Sequence, residues 1–341
     1  MEYYAGIDVS LESSSVCVMD ATGRIVREGK VASEPEALVR FLADLGLAIV
    51  RIGLEAGPLS QWLHAGMTAA GFEVVLVETR HVKAALSAMT VKTDRKDARG
   101  IAHLIRMGWY RPVHCKSVSA QEVRALLAGR KLLQDKLLDI EASLRGLLRG
   151  FGLKVGKVSK GHFATRIREL VGGQRMLEEI AEPMLRARDT LRIEFARLHR
   201  QILALAKADD VCRRFMTVSG VGALVALTFR TAIDDPGRFR RSKDVGAHFG
   251  LTPKRYQSGE TDVTGGITRV GDARVRSALY EAANAILTRD TRFSTLKHWA
   301  LAVAKRRGLR RAKVALARKL AVVLHRIWVD GTTFRWTKEA A

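Results

Sequence analysis

Over the first hundred residues, short apolar runs alternate with polar breaks. "YYAGIDVS", "SSVCVMD" and "RIVREGKVAS", the last two separated by the turn "ATG", are rich in strand-forming residues and predict a three-strand meander. "EPEALVRFLADLG" then repeats at helical spacing, and "IVRIGLE" returns to a strand. Pro58 opens the helix "PLSQWLHAGMTAAG", with Gly71 at its C-terminal cap. "EVVLVE" is the last strand, and a helical stretch through Asp94 and Asp97 closes the region.

The period changes beyond residue 118. Val123, Leu126, Arg130, Leu133, Leu137, Ile140, Leu144 and Leu147 follow one another at steps of three and four, a heptad seam containing one arginine. Met184, Arg188, Leu191, Phe195, Leu198, Ile202 and Leu205 repeat it after the Gly- and Lys-rich "GFGLKVGKVSKGH". The pair suits an antiparallel coiled-coil arm, a seam between subunits, or two helices of a compact bundle. From residue 210 the chain reads as helical and basic. A meander followed by αβαβα is the element order of an RNase H-like domain. The expected fold is therefore an α/β RNase H-like N-terminal domain (1–115), a helical coiled-coil middle (116–209) and a mostly α C-terminal domain (210–341).

Charge narrows the partner. Lys and Arg number 58 against 35 acids, a net +23, which calls for a polyanion. No run approaches the roughly 20 apolar residues of a membrane span, and "MEYYAGIDVS" lacks the features of a signal peptide. Cys17, Cys115 and Cys212 make no zinc spacing and suit a reducing cytosol. The expectation is a cytoplasmic, nucleoid-associated protein bound to nucleic acid and not to membrane. Aromatic residues are 6% and scattered, so phosphate contacts should dominate over base stacking.

Asp8 falls near the end of the first strand and Glu55 at the end of the fourth, two strands that lie side by side in an RNase H-like sheet. Asp94 and Asp97, three apart on one helix face, would complete a four-carboxylate cluster. Like charges so close require a cation among them. Two Mg²⁺ ions would neutralise them and act on a phosphodiester. The bland alternative is a set of turn and surface acids, with i,i+3 acids beside bases forming a solvated face. Lys92, Arg95, Lys96 and Arg99 surround the second pair and would steer a nucleic-acid strand to it. "GIDVS" also begins sugar kinases and actin-like ATPases, but Ser10-Leu11-Glu12 stands where their Gly-Thr pair would be.

Together with "GLTPKRYQSGE" and "GGITRVGDARVRSAL", these four acids resemble the IS one-ten family of bacterial insertion-sequence transposases across nearly the whole chain. The resemblance implies a RuvC-like DEDD domain whose acids, here Asp8, Glu55, Asp94 and Asp97, bind Mg²⁺. It implies a C-terminal transposase domain with a serine before a glycine as second catalytic element, matched by Ser258 and Gly259. It also implies a guide (bridge) RNA pairing with both target and donor DNA, which nothing in the composition shows.

Ser-Gly is a common turn, but this one has Lys254 and Arg255 on one side and "TGGITRVG" with Arg269 on the other. Asp272 could cap a helix carrying Arg274 and Arg276, whose first amides would face phosphate. "SGVG" at 219–222 fits either a phosphate-binding helix-hairpin-helix turn or a close-packed helix turn, and "KRRGLRRAKVALARK" fits nucleic-acid contact. Trp299, Trp328 and Trp336 are expected to pack in the core or at docking faces. The expected activity is Mg²⁺-dependent DNA strand transfer through a covalent serine–DNA intermediate, in a homo-oligomer (dimer or tetramer) where the serine can reach a neighbouring subunit's metal site. The alternative is a RuvC-like hydrolytic junction-resolving endonuclease, which leaves Ser258 without chemistry. A non-enzymatic nucleic-acid-binding protein leaves the four acids unexplained.

Overall fold

β1 (Tyr3–Val9), β2 (Ser13–Asp20) and β3 (Ile25–Ala32) form an antiparallel meander, and β4 (Ile49–Glu55) and β5 (Val74–Val77) add to β1 in parallel. The resulting order, β3-β2-β1-β4-β5, is that of an RNase H-like sheet. The computed structural model describes residues 1–87 and 93–336, so Lys92 lies outside the described residues. Two units emerge, Met1–Lys116 and Ser117–Ala341.

In the first unit, alternation along β1 sends side chains to two different covers. Ala5 and Ile7 join Ile52 and Leu54 in a core completed by Leu38 and Leu42 of α1 (Pro35–Ala43) and Leu63 and Met67 of α2 (Ser60–Ala69). The opposite face is covered by α4 (Asp94–Arg106), which follows α3 (Thr79–Leu86) in order. There the strands present Gly6 and Gly53. A Cβ on Gly6 would fall 2.3 Å from the Ala98 carbonyl oxygen, and one on Gly53 2.4 Å from Ile105. These glycines let α4 lie directly on the sheet, and its Ala98 and Ala102 are the small residues such an approach needs.

The second unit begins with α5 (Val118–Arg149), α6 (Phe163–Val171) and α7 (Arg175–Ala208). α5 and α7 pack antiparallel within the chain: Arg130 lies over the Phe195 ring at 4.5 Å, and Arg188 Nε donates to Glu141 Oε1 at 2.8 Å. Arg188 is fully buried, also donating to the Lys160 carbonyl at 2.7 Å and lying over Phe163. The predicted seam holds along most of its length but turns at its ends. Leu147 is 50% exposed and Leu148 buried instead, while Leu205 gives way to the buried Ala206. A heptad repeat drifts around a straight helix of 3.6 residues per turn.

The remaining helices are α8 (Asp210–Phe215), α9 (Ala223–Ile233), α10 (Asp244–His248), α11 (Ala273–Thr288), α12 (Thr295–Arg307) and α13 (Leu309–Val329). Their core includes Phe215, Phe229, Phe249, Leu279, Leu320 and Leu324. The Gly220 turn between α8 and α9 is a packing device: its φ is +74°, and a Cβ there would lie 2.6 Å from the Ala282 carbonyl. Between α10 and α11 runs an antiparallel ribbon, β6 (Pro253–Ser258) and β7 (Thr261–Ile267). No helix among the described residues is long and apolar enough to cross a membrane.

Candidate active site

The parallel register pairs Gly6 with Gly53 and Ile7 with Leu54, so Asp8 and Glu55 end adjacent strands. Two residues beyond each glycine, both belong to the sheet face that α4 covers. Asp97 immediately precedes Ala98, whose carbonyl abuts Gly6, and thus reaches the same edge. Glu55 and Asp97 line one cavity of about 420 Å³ with Thr79, Lys83 and Ser87. Asp8 is half-buried near the end of β1, and Asp94 is exposed in the first turn of α4. Thr93 starts that helix, its hydroxyl accepting the Lys96 amide at 3.2 Å. Acids in the first turn also suit the positive end of the helix dipole.

Glu55 and Asp97 thus share a cavity, and Asp8 ends the strand next to that of Glu55. No group of three or more His, Cys, Asp or Glu among the described residues is gathered tightly enough to hold a metal. The donor chemistry nevertheless fits a hard divalent cation, which takes carboxylate oxygens and water. Thr79 and Lys83 went unread in the sequence. Their position just after a parallel strand, where open α/β sheets bind ligands, is the signal that points to them.

Two of the bases around the acids, Arg95 and Arg99, share a carboxylate partner from elsewhere in the sheet. Arg95 Nε donates to Glu28 Oε2 at 2.7 Å and Arg99 Nη2 to the same oxygen at 2.8 Å, with further bonds from Arg95 Nη2 and Arg99 Nε. Glu28 projects from β3, so the two arginines tie α4 to the meander. Arg99's hydrogen bond, reinforced by Arg95 and only opposed by burial, holds the Glu28 carboxyl at about 2. Steering of a strand by Arg99 is corrected accordingly: its guanidinium is a fastening. Lys96 is half-buried, and Arg95 remains largely exposed while paired.

Ser258 ends β6 opposite Thr261, at the tip of a ribbon whose residues are exposed on both faces. Gly259 supplies the turn at φ +53°. Lys254 is exposed, and Arg255 pairs across the ribbon with Asp262 through bonds of 2.8 and 2.7 Å. The base of the ribbon is fixed. Thr268 and Arg269 amides donate to the Thr252 and Gly250 carbonyls, with Arg269 at φ +57°. Arg276 Nη1 donates to the carbonyls of Phe249, Val270 and Gly271, so it braces this loop instead of meeting phosphate.

Asp272 does cap α11, but its carboxylate takes the Arg274 and Val275 amides and the Arg124 guanidinium. Burial pushes that carboxyl up, yet these donors outweigh it and hold it below its usual range. The first amides of α11 therefore face inward to their own cap, a second correction. Arg274 itself stays exposed.

A sheet of this order with acids at the ends of β1 and β4 and on the covering helix defines an RNase H-like DEDD domain joined to a helical unit. A family model described as "Transposase", of the IS110 DEDD type, matches residues 5–152, and the model "Transposase IS116/IS110/IS902 family" matches residues 212–298. The chain belongs to the IS110 family and is a DNA-cleaving transposase. It is 29% identical over 340 residues to the transposase for insertion sequence element IS1111A of Coxiella burnetii, covering 97% of this chain and 90% of that one. A putative transposase, y4pF/y4sB, of Sinorhizobium fredii is 27% identical, covering 83% and 74%. A solved structure of T. thermophilus RuvC with a Holliday junction substrate aligns to 33% of this chain and all of that one, at 16% identity and TM-score 0.26.

Proposed function

We propose that this transposase moves its insertion sequence by exchanging DNA strands through a phosphodiester held covalently on Ser258. The observation that carries the reading is the meeting of Glu55 and Asp97 in one cavity at the sheet edge where Asp8 also ends its strand. Glu55 and Asp97, together with Asp8 and Asp94, would hold Mg²⁺, which when bound supplies Lewis-acid charge for phosphoryl transfer. Ser258 gives up its proton as Oγ bonds to phosphorus, and the departing sugar oxygen gains one. One phosphodiester replaces another, so the bond energy is retained for the reverse step with a new strand. The exposed tip and the Gly259 turn leave Oγ unobstructed.

We assign Lys92, Lys96, Lys254, Arg269 and Arg274 to nucleic-acid contact, with Arg95 and Arg255 able to exchange their carboxylate partners for phosphate. A guide RNA, from family membership, and a dimer or tetramer that brings Ser258 of one chain to the acids of another, from the heptad seam and the distance in sequence between Ser258 and Asp97, complete the reading. The chain's domains are read as 1–115, 116–209 and 210–341. The test is a suicide substrate nicked near the element end, incubated with protein and Mg²⁺ and run on a denaturing gel. Wild type should give a protein–DNA adduct mapping to Ser258 and Ser258→Ala none. An adduct that survives Ser258→Ala, or joined product without any adduct, would favour hydrolytic cleavage.

A further inference from the structure

One face of α13 carries features that the acid edge and the serine ribbon leave unused. Two cavities run along it, of about 770 and 820 Å³, and both are lined by Trp299 and Lys319. The first lies at the foot of the β6–β7 ribbon, where Pro253, Gly265 and Gly266 form its wall. The second continues past Val323 and Arg326 to Asp330. Arg311, Val314, Ala315, Arg318, Lys319, Val322, Val323 and Arg326 share one helical stripe, and Arg311 to Asp330 spans about 28 Å of helix.

The lining is mixed in a specific way. Lys243, Arg310, Arg311, Arg318 and Lys319 enter the first cavity, and among the described residues no carboxylate lines it. Asp330, the one acid among the described residues that line the second, is paired with Arg326 at 3.7 Å. Between these cations the walls are apolar: Leu251, Ile267, Val314 and Val322. Trp299 stands where the cavities meet, half-buried, with the Lys319 ammonium 4.1 Å above its ring. Its inner edge packs on the helical core, as the sequence implied, but its remaining surface faces the groove.

A duplex presents phosphates and keeps its base faces stacked, which would satisfy the cations and leave the tryptophan and valines against water. An unpaired strand presents both, and positive grooves with an aromatic platform hold such strands. A base could take the place of the Lys319 ammonium over the indole.

We infer that this face of α13 is a binding groove for single-stranded DNA, holding the unpaired stretch that leads to the scissile phosphate. The choice of DNA rests on the reading of Ser258 above, because the groove starts at the foot of the ribbon that carries the serine. The ribbon from Pro253 to Ser258 is roughly 17 Å long, so a held strand continues naturally to its tip. Gly265 and Gly266 leave that wall without side chains, where a sugar-phosphate backbone can approach.

The test is fluorescence anisotropy of the full chain with a labelled oligodeoxynucleotide, the matching RNA and the DNA duplex, over a salt series. Trp299→Ala should weaken the single-stranded DNA about tenfold while leaving the salt slope unchanged, and Trp299→Phe should restore most of the loss. Replacing Arg311 and Arg318, both exposed, by Gln should lower the salt slope on the single strand by about 1.4, about 0.7 for each lost phosphate contact. Wild-type affinity and slope in both sets would overturn the groove. Tighter RNA binding with the same losses would overturn its assignment to DNA, as would equal losses for duplex. Ser258→Ala should bind the strand as wild type. A groove that survives while no serine adduct forms would therefore separate failure of the catalytic reading from failure of this one.

Discussion

The acid edge and the serine ribbon are built to opposite specifications. Asp8, Glu55 and Asp97 ride on elements packed on both sides: β1 and β4 sit between the α1–α2 core and α4, which touches the sheet at Gly6 and Gly53. Ser258 rides on two strands exposed on both faces, held only at their foot. An isolated two-stranded ribbon is marginal in water, whereas a helix laid on a sheet fixes its side chains. The difference teaches a division of labour. On the proposed function, the acids would stand positioned before substrate arrives, and Ser258 would be carried on a segment that nucleic acid can order.

The sharpest break in that comparison is chemical. Asp97→Asn should reduce strand cleavage by about a thousandfold or more, since a cation's stabilisation of the transition state amounts to several kcal/mol. Its thermal stability and DNA affinity should stay near wild type, because binding rests on the basic surface. Cleavage at wild-type rate by Asp97→Asn would remove the acid edge from the mechanism.

Packing gives the next largest effect. Gly6→Ala would force a methyl to within 2.3 Å of the α4 backbone, where nothing flexible can yield. A loss of about 3 kcal/mol or failure to fold is expected. Gly265→Ala on the ribbon meets only Lys254 Cβ at 3.9 Å and should change stability by less than about 0.5 kcal/mol. Thermal melts of the two variants give the comparison directly, and equal losses would contradict it.

Glu28 tests the fastening of α4. Its folded-state carboxyl stands at about 2, below its ordinary 4.5. The pair therefore contributes fully above about pH 4.5, and its contribution is lost as pH falls from there through about 2. Glu28→Gln should cost about 1–3 kcal/mol at neutral pH and flatten the acid limb of the stability curve over that window. Chemical denaturation at a series of pH values measures both. A parallel acid limb in the variant would mean that Glu28 is not its source.

The contrast between the regions is also a contrast in legibility. The sheet was readable because its strands alternate or run apolar, and Asp8 and Glu55 fall at strand ends in any such reading. β6 and β7 escaped because both their faces are exposed, so "PKRYQS" and "TDVTGGI" carry no buried face to produce a pattern. The C-terminal region consequently reads as mostly helical, with no ribbon in it. The Arg95–Glu28–Arg99 cluster was illegible for another reason: local sequence shows Arg95 and Arg99 beside Asp94 and Asp97, while their true partner comes from β3, far back in the chain. The heptads were read correctly in the middle of α5 and α7 and slipped at Leu147 and Leu205, where the drift of the repeat accumulates.

The smallest effect is expected at the one cross-ribbon ion pair beside the serine. Arg255 and Asp262 are 62% and 45% exposed, and such pairs contribute about 0–1 kcal/mol. Asp262→Asn should therefore leave the melting temperature nearly unchanged. Its consequence lies in binding. In the free protein Asp262 occupies the Arg255 fork; without that charge the guanidinium is available to a phosphate from the start. Removing the acid should raise affinity for DNA a few-fold at low salt and steepen the salt slope by up to about one. Arg255→Gln should do the reverse and lower the slope by about one. If the ribbon were as rigid as the acid edge, with Arg255 locked to Asp262 in the bound state, Asp262→Asn would leave the slope unchanged. Measuring log affinity against log salt for the two variants thus decides whether the ribbon that carries Ser258 meets DNA by exchanging partners.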